Sequence, residues 1–525
     1  MTQGNLPDAR RFTLINEFAK AYGAKEPLKI YDCSITRRGN CLFFLMREGA
    51  EKKLVAMFSP NRRSFLKGFI SEKEGVIKIK NRVLNYIVCK CNGENASTLR
   101  RIFAFTRPRP IGLTPAIGLG DRLGLATPGH IWAVRGLKVF PVLAQQSIRE
   151  IDRTKRTLRE VLDDVSWAVF QEGYRTGFAA DADHLKREEE AEEAFYAGFT
   201  MYTVDPSDYV NMEADNYPID FLRERFNNLP WGDLKINRER FLKIYLNKNL
   251  ILHMPDGRVN ELRFSEENLM RAAVKFSKAI LFVANVYRRL RSLFGRRRFD
   301  LEVSIDETEK PTSALEHFFI VSELKRLGVR FHSLAPKFVG RFEKAIDYIG
   351  DLKEFEENFL THVLISRALG SYKISIHSGS DKFSIYPIIG RIAPDMIHLK
   401  TSGTSYLESL RVIARRNPKL FREIVEYSLK CFEFDRKSYI VSADVKAIPN
   451  LENIPDEDLE RAFLESNYGR QILHVTFGSI LTAKGADGEW LFRERIKRTL
   501  LDNEGEFYEI IAAHIRKHIE ETFKI

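Results

Sequence analysis

The sequence lacks the features that would place the chain in a membrane or outside the cell. No run approaches the roughly twenty apolar residues that a membrane-spanning helix needs, and the opening MTQGNLPDARRF lacks the apolar core of a secretory signal. Five cysteines, an odd number in 525 residues, do not form a disulfide framework. We therefore expect a cytoplasmic protein with reduced thiols and no membrane partner.

The composition is that of a folded protein, because 44% of the residues are hydrophobic and 29% are charged. Its length predicts one large domain of barrel size with smaller additions. The net charge of +12 includes one dense cluster in RRLRSLFGRRR, between Arg288 and Arg298. A phosphate-binding patch is one interpretation, and a basic helix end favoured by the helix dipole is the other. The cluster has no stacking aromatics or nucleic-acid motif, so we expect no nucleic-acid partner.

The first part of the chain predicts a small β-rich domain over residues 1–105. Short alternating strands such as LKIYDCSI, CLFFLM, KLVAMF and VIKIK are separated by charged or Gly/Asn-containing turns. The Pro-rich segment TRPRPIGLTPAIG then marks a boundary.

Beyond about residue 115, strand-like runs alternate with amphipathic helical patterns, which predicts an α/β fold with a parallel sheet. The runs are VFPVLAQQ, GFAADADHL, FTMYTVDPSD, DLEVSIDETE, VRFHSLAP, YKISIHSGS, MIHLKTSG, YIVSADV and ILHVTFGS. The count is near eight, or nine to ten with IGLGDRL, so a closed (β/α)8 TIM-like barrel with extra strands is favoured over an open doubly wound sheet. Which eight strands close the barrel stays open at this stage.

The barrel pattern is interrupted once. We predict a first barrel part at 106–206, a helical insertion at 207–297, a second barrel part at 298–485 and a C-terminal helical tail at 486–525. An insertion in a loop after a strand would lie over the barrel mouth, so it is a possible lid. A static helical annex is the alternative.

Polar residues alternate with apolar ones inside several predicted strands. In DLEVSID the polar face is Glu302, Ser304 and Asp306, and in MIHLK it is His398 and Lys400. Strands covered on both faces should be apolar throughout. The repeated polar face therefore predicts a wet barrel interior near the C-terminal mouth, where such enzymes keep their sites.

Chemically capable residues also close several of these strands. The densest group is Asp181 to Lys186, in which Asp183, His184 and Lys186 could serve as base, metal ligand and anion anchor. Other strand ends carry DETE from Asp306, HSGSDK from His377 and HLKTSGTS from His398. A barrel brings such ends together, so histidines and carboxylates could form a three-ligand metal site for a sugar or sugar acid.

A dinucleotide cofactor is not expected. The segment GLGDRLG reads GxGxxxG, one residue longer than the dinucleotide fingerprint, and no acidic residue ends the next strand. We therefore predict no NAD.

Long segments of the chain resemble the tagaturonate/fructuronate epimerase family of bacterial hexuronate catabolism. They are GLGDRLGLATPGH, AQQSIRE, GFAADADHL, TVDPSDY, SIDETEKPT, LAPKFVGRFEKAIDYIGD, YKISIHSGSDKFSIYP, HLKTSGTSYLESLR and HVTFGS. The resemblance implies a divalent-metal-dependent epimerase of D-tagaturonate and D-fructuronate. The inverted carbon of these keto-hexuronates lies beta to the ketone, where enolisation does not acidify its hydrogen. We therefore hypothesise retro-aldol cleavage and re-addition.

The resulting hypothesis assigns a role to each candidate residue. The metal ligands are His184, His377 and His398, with His474 in reserve if the later strands belong to the barrel. Asp183 is the proton acceptor and Glu307 the donor. The candidates for the substrate carboxylate are Arg122, Lys186 and Lys400. A metal-dependent aldolase, an aldose–ketose isomerase and, in another class, a basic nucleic-acid-binding protein are the alternatives.

Overall fold

The N-terminal part of the chain forms a five-stranded antiparallel sheet with strand order β1-β2-β3-β5-β4. The computed structural model describes residues 8–60, 66–79 and 82–524. The strands are β1 (Leu28–Arg38), β2 (Cys41–Glu48), β3 (Glu51–Phe58), β4 (Lys73–Ile79) and β5 (Arg82–Lys90), and the helices of this part are α1 (Asp8–Tyr22) and α2 (Gly93–Ile102).

This sheet is covered on both faces, which explains the continuous apolar run in β2. Phe44 and neighbours on its face pack with Phe18 of α1, while Phe43 on the opposite face packs with Leu99 of α2 and Phe170 of the following domain. Side chains alternate across a strand, so one strand serves two apolar cores. The prediction of an N-terminal β-rich domain is confirmed.

Eight parallel strands close into a barrel, which confirms the predicted fold class. In chain order the remaining strands are β6 (Ala116–Leu119), β7 (Phe140–Ser147), β8 (Ala179–Leu185), β9 (Met201–Val204), β10 (Asn249–His253), β11 (Val259–Arg263), β12 (Asp300–Ile305), β13 (Ser333–Pro336), β14 (Lys373–Ile376) and β15 (Ile397–Thr401). Strands β6 to β9 are followed around the barrel by β12 to β15, and β15 pairs with β6 to close it. The segment IGLGDRL thus supplies the first barrel strand.

Two of the predicted strands are wrong. The segment ILHVTFGS lies in helices, because its apolar residues also fit the helical spacing and Ser466 caps the first of these helices. The segment YIVSADV is irregular and ends in a short 3-10 turn at Val445–Ala447. Since the barrel is closed, it leaves no free strand edge with which this segment could pair.

Helices surround the barrel and extend beyond it. They are α3 (Thr127–Val134), α4 (Ile148–Thr154), α5 (Leu158–Gln171), α6 (Glu188–Ala197), α7 (Ile219–Asn227), α8 (Arg238–Leu246), α9 (Glu266–Phe294), α10 (Ala314–Arg326), α11 (Leu352–Ala368), α12 (Tyr386–Ile392), α13 (Thr404–Arg416), α14 (Pro418–Asp435), α15 (Leu459–Leu464), α16 (Asn467–Val475), α17 (Phe477–Thr482), α18 (Arg493–Asp502) and α19 (Glu504–Phe523). None of the helices in the described ranges is long and apolar enough to span a membrane.

Residues 207–297 contain α7, α8 and α9, together with the β10–β11 hairpin that the sequence did not predict. Ser207 and Asp208 bond to Lys186 near the barrel mouth. The long helix α9 packs against α6, α7 and α10 on the barrel exterior. The possible lid function of this segment stays a prediction. The arginine cluster lies at the C-terminal end of α9 and in the loop before β12, and a loop that precedes a strand belongs to the face opposite the mouth.

Glu504, at the start of α19, connects the N-terminal sheet to the rest of the molecule. Its carboxylate accepts hydrogen bonds from Lys29 at 2.5 Å, Tyr31 at 2.9 Å and Tyr508 at 2.6 Å, and Lys52 Nζ lies 3.3 Å away. Burial alone would raise the pKa of Glu504, but the ammonium and hydroxyl groups outweigh it and lower the pKa to about 2. The ionised carboxylate is therefore stabilised in the folded state.

Glu504→Gln is expected to lower the free energy of unfolding by about 3 kcal/mol near neutral pH. The folded-state pKa is depressed, so this contribution is complete above pH 4.5 and is lost as the pH falls from 4.5 toward 2. Urea unfolding of wild type and variant at pH 7 and at acidic pH measures the difference, which should shrink on acidification. Glu509→Gln, an exposed position on the same helix, is the control. An equal loss of unfolding free energy in Glu504→Gln and Glu509→Gln would contradict the stabilising role of the ionised Glu504.

Candidate active site

The C-terminal ends of the barrel strands surround a cavity of about 380 Å³. A second lobe of about 650 Å³ lies beside it and shares Arg149, Asp306, Glu307, Lys344 and His377 with the first. Polar side chains from several strand ends line the inner lobe. This position is where (β/α)8 barrels carry their active sites.

The end of β8 aims two neighbouring residues into this cavity. His184 has a left-handed backbone with φ of 55°, and the pairing register between β8 and β9 shifts between Ala182 and Leu185. A bulge and a positive φ break the alternation of side chains, so Asp183 and His184 both line the cavity. Backbone strain of this kind is typical of functional sites.

His184, Asp306 and His377 form a group of possible metal ligands. One donor atom of each lies within 4.8 Å of the other two. Asp306 Oδ1 is 3.0 Å from His377 Nδ1 and 3.9 Å from His184 Nε2. Two imidazoles and a carboxylate suit a divalent transition-metal ion and leave room for substrate.

Each imidazole of this group is oriented by another carboxylate. His184 Nδ1 lies 2.8 Å from Asp183, and His377 Nε2 lies 2.7 Å from Glu302. The second nitrogen of each ring therefore faces Asp306. Metal-ligating histidines are oriented by carboxylates in this way, so the residues fit a bound divalent cation. His184 also belongs to a second group, with Asp205 and Glu307.

The charges at the site favour a cation. Burial would lower the pKa of His377, but Asp306 outweighs it and raises this pKa to about 10. Burial likewise opposes ionisation of Asp306, yet His377 and His184 lower the pKa of this carboxyl. The negative charge of the carboxylates that holds a proton on His377 would also stabilise a metal ion at the same place.

Lys400 lies deeper in the barrel, enclosed by carboxylates. Its ammonium group lies 2.8 Å from Asp181, 2.7 Å from Asp183 and 2.9 Å from Glu302, and it donates to Thr203 Oγ1 at 2.6 Å. Burial would lower the pKa of Lys400, but the three carboxylates raise it well above the ordinary value. Lys400 is therefore a fixed positive charge that holds the acidic side chains together.

His398 also lies in the barrel interior and is fully buried. Its Nδ1 is 2.8 Å from Glu302, and burial lowers its pKa to about 4, so the ring is neutral. Within the described part of the chain its Nε2 has no hydrogen-bond partner, and His398 belongs to neither of the donor groups at the mouth. The structure thus brings together two of the three predicted histidine ligands, and Asp306 stands beside them.

The predicted carboxylate-binding residues Arg122 and Lys186 line the same cavity but already have acidic partners. Arg122 Nε bonds to Glu150 at 2.8 Å, and its guanidinium lies 3.7 Å from the ring centroid of Phe477. Lys186 Nζ is 3.0 Å from Asp208 and 3.4 Å from Glu307. His474 is on helix α16, where its backbone carbonyl accepts a hydrogen bond from Arg122. The prediction of His474 as a reserve metal ligand required ILHVTFGS to be a barrel strand, and this segment is helical.

Asp306 and Glu302 contact the site histidines but were not among the predicted site residues. Both belong to the polar face of DLEVSID, so the parity of that strand was a signal that could have selected them. Lys344 was missed as well, and its loop position gave no such signal. Asp183, Glu307 and the other predicted residues named above line the cavity, apart from His398.

Comparisons with known proteins give one consistent result. The profile of the UxaE tagaturonate epimerase family matches residues 31–522. A tagaturonate/fructuronate epimerase of Thermotoga maritima is 43% identical over 494 residues, which make up 94% of this chain and 96% of that protein. A fructuronate-tagaturonate epimerase from Cohnella laeviribosi, solved in native form and with glycerol, is 36% identical with a TM-score of 0.87 and covers 98% of this chain and 99% of its own.

Proposed function

The chain belongs to the UxaE tagaturonate epimerase family and is an isomerase, and from this premise we propose that it interconverts D-tagaturonate and D-fructuronate with the help of a divalent cation. The ligands we propose are His184, His377 and Asp306. Asp306 takes the place that the sequence-based hypothesis gave to His398, since His398 lies outside the donor group.

The observation that carries the proposal is the orientation of the two imidazoles. His184 and His377 each direct one nitrogen to a supporting carboxylate and the other toward Asp306, in the inner lobe of the cavity. When bound, a divalent cation would supply a positive charge that stabilises negative charge on ketose oxygens.

The substrate chemistry favours a carbon–carbon cleavage. The two keto-hexuronates differ at C4, and the ketone is at C2. Removal of the C4–OH proton lets the C3–C4 bond break, so that its electron pair forms the enediolate of the three-carbon ketone fragment and C4 becomes an aldehyde. Rotation of the aldehyde fragment and attack by C3 on its other face restore the bond with inverted configuration.

Asp183 and Glu307 are our proposed partners for the C4 oxygen. Lys400 and His184 outweigh the effect of burial and hold the pKa of Asp183 well below its ordinary value. The pKa of Glu307 is also lowered, because His184 and Arg149 outweigh its burial. Both carboxyls therefore begin ionised, so the proton that Asp183 accepts from the C4–OH passes to Glu307, which returns it to the C4 oxygen after rotation.

Chelation is expected to abolish the epimerase activity, and a divalent ion should restore it. The purified protein is incubated with D-tagaturonate before and after EDTA treatment, and sugar acids are separated by chromatography. Appearance of D-fructuronate that depends on added Mn²⁺, Ni²⁺ or Zn²⁺ is the expected result. Formation of a three-carbon aldehyde as the final product would instead indicate an aldolase, and an aldohexuronate would indicate an aldose–ketose isomerase. Full activity after removal of all metal would contradict the proposal that the reaction requires a divalent cation.

A solvent-isotope experiment tests the retro-aldol route. Turnover in D₂O should leave protium on the inverted carbon, because that hydrogen stays with the aldehyde fragment throughout. Mass spectrometry and proton NMR of the product measure the deuterium content at C4. Incorporation of one deuterium at C4 in each turnover would eliminate carbon–carbon cleavage and indicate proton transfer at that carbon.

A further inference from the structure

The inner lobe of the cavity is lined by five lysine and arginine side chains, and one of them has no acidic partner at ion-pair distance. Arg122 and Arg149 pair with Glu150 and Glu307, Lys186 pairs with Asp208, and Lys400 is enclosed by three carboxylates. Lys344 is different, because no carboxylate lies within 4.0 Å of its ammonium group in residues 8–60, 66–79 and 82–524. Among these five side chains in the described ranges, Lys344 alone lacks an ion pair.

Lys344 sits where the two lobes of the cavity meet. Its ammonium group donates to Ser378 Oγ at 2.7 Å. Ser378 directly follows His377 and has a left-handed backbone with φ of 50°. The ammonium group is therefore held beside the proposed metal ligands, and two of its three N–H donors can serve a ligand.

The backbone around Lys344 is fixed on both sides. The buried Lys382 donates to the carbonyls of Glu343 at 2.9 Å and Ile346 at 2.5 Å. Arg470 donates to the carbonyl of Ala345 at 2.8 Å. These bonds hold the segment in place, so Lys344 is positioned before a ligand arrives, which reduces the entropy lost on binding.

We propose that Lys344 binds the C6 carboxylate of the substrate and makes the enzyme selective for sugar acids over neutral ketoses. This assignment rests on the proposed function. In the retro-aldol route the carboxylate belongs to the aldehyde fragment, so the same ion pair would retain that fragment while it rotates. An ammonium group without an acidic partner gains more from a carboxylate than the paired cations, which would first have to leave their partners.

The test compares D-tagaturonate with D-tagatose, which has a hydroxymethyl group in place of the carboxylate. Binding of each to Mn²⁺-supplemented protein is measured by calorimetry, together with kcat and KM for D-tagaturonate. Lys344→Met should weaken the binding of D-tagaturonate by about 30-fold, the value of a hydrogen-bonded charge. Binding of D-tagatose should change by less than about twofold. Lys344→Arg, which keeps the charge, should lie between wild type and Lys344→Met.

Lys437→Met is the matched control, because Lys437 is an exposed lysine on the outer lobe. Its effect on D-tagaturonate binding should be small. The assignment is overturned if Lys344→Met weakens both sugars equally, if it weakens neither, or if Lys437→Met weakens D-tagaturonate as much. If wild type binds D-tagaturonate but forms no D-fructuronate, the proposed function fails, and the binding comparison still decides the role of Lys344.

Discussion

Asp306→Asn is expected to lower kcat/KM for D-tagaturonate on the order of 10³-fold, since a metal ion supplies several kcal/mol of transition-state stabilisation. The amide keeps the shape of the side chain but removes the negative charge that both imidazoles face. The pKa of His377 is raised mainly by Asp306, so the variant should also bind divalent ions more weakly. Activity assays and the metal content of the dialysed protein measure the two effects.

Glu309→Gln is the control for this experiment, because Glu309 is an exposed carboxylate on the same loop that lines only the outer lobe. It should retain wild-type metal content and activity. An Asp306→Asn variant with activity and metal content close to wild type would remove Asp306 from the ligand set. His398 would then be the next residue to test by the same assays.

Lys400→Met is expected to lower the free energy of unfolding by about 3–5 kcal/mol, the usual effect of removing one partner from a buried ion pair. The substitution leaves Asp181, Asp183 and Glu302 in the barrel interior without the ammonium group that contacts all three. Mutual repulsion and burial then oppose ionisation of the carboxyls. Urea unfolding monitored by circular dichroism measures the loss, and epimerase activity should fall with it.

The double variant Lys400→Met with Asp181→Asn distinguishes charge from packing. Burial already raises the pKa of Asp181 to about 6, so this carboxylate gains most from neutralisation once the ammonium group is gone. The double variant should be more stable than Lys400→Met alone. If Asp181→Asn instead lowers the free energy of unfolding further, the instability of Lys400→Met comes from lost packing of the lysine stem and not from its charge.

The sequence predicted the barrel well, because alternating strand and helix patterns leave few other arrangements. The strand prediction was wrong for ILHVTFGS, because this short apolar run fits both the helical and the strand repeat. Local spacing alone does not distinguish a buried helix from a strand. The hairpin β10–β11 was missed because its strands are mostly exposed and lack an alternating apolar face.

Individual site residues were harder to predict than the site itself. Asp183 and His377 could be found because they close strands, and His184 enters the cavity only through a bulge and a positive φ that the sequence does not mark. Depth along the barrel axis separates Asp306 from His398, and no sequence pattern gives that depth. Lys344 is positioned by Lys382 and Arg470, which contact the backbone of its segment from elsewhere in the chain. Tertiary hydrogen bonds of this kind have no signature in the local sequence.

The contact between Glu504 and Tyr31 joins residues 473 positions apart in the chain. Helix α19, which begins at Glu504, also packs against α3, α12 and α13. During synthesis on the ribosome, the N-terminal sheet can form early but must wait for this helix before it docks fully. A contact between residues so distant in sequence costs more loop-closure entropy than a local contact, so we expect it to form late in folding.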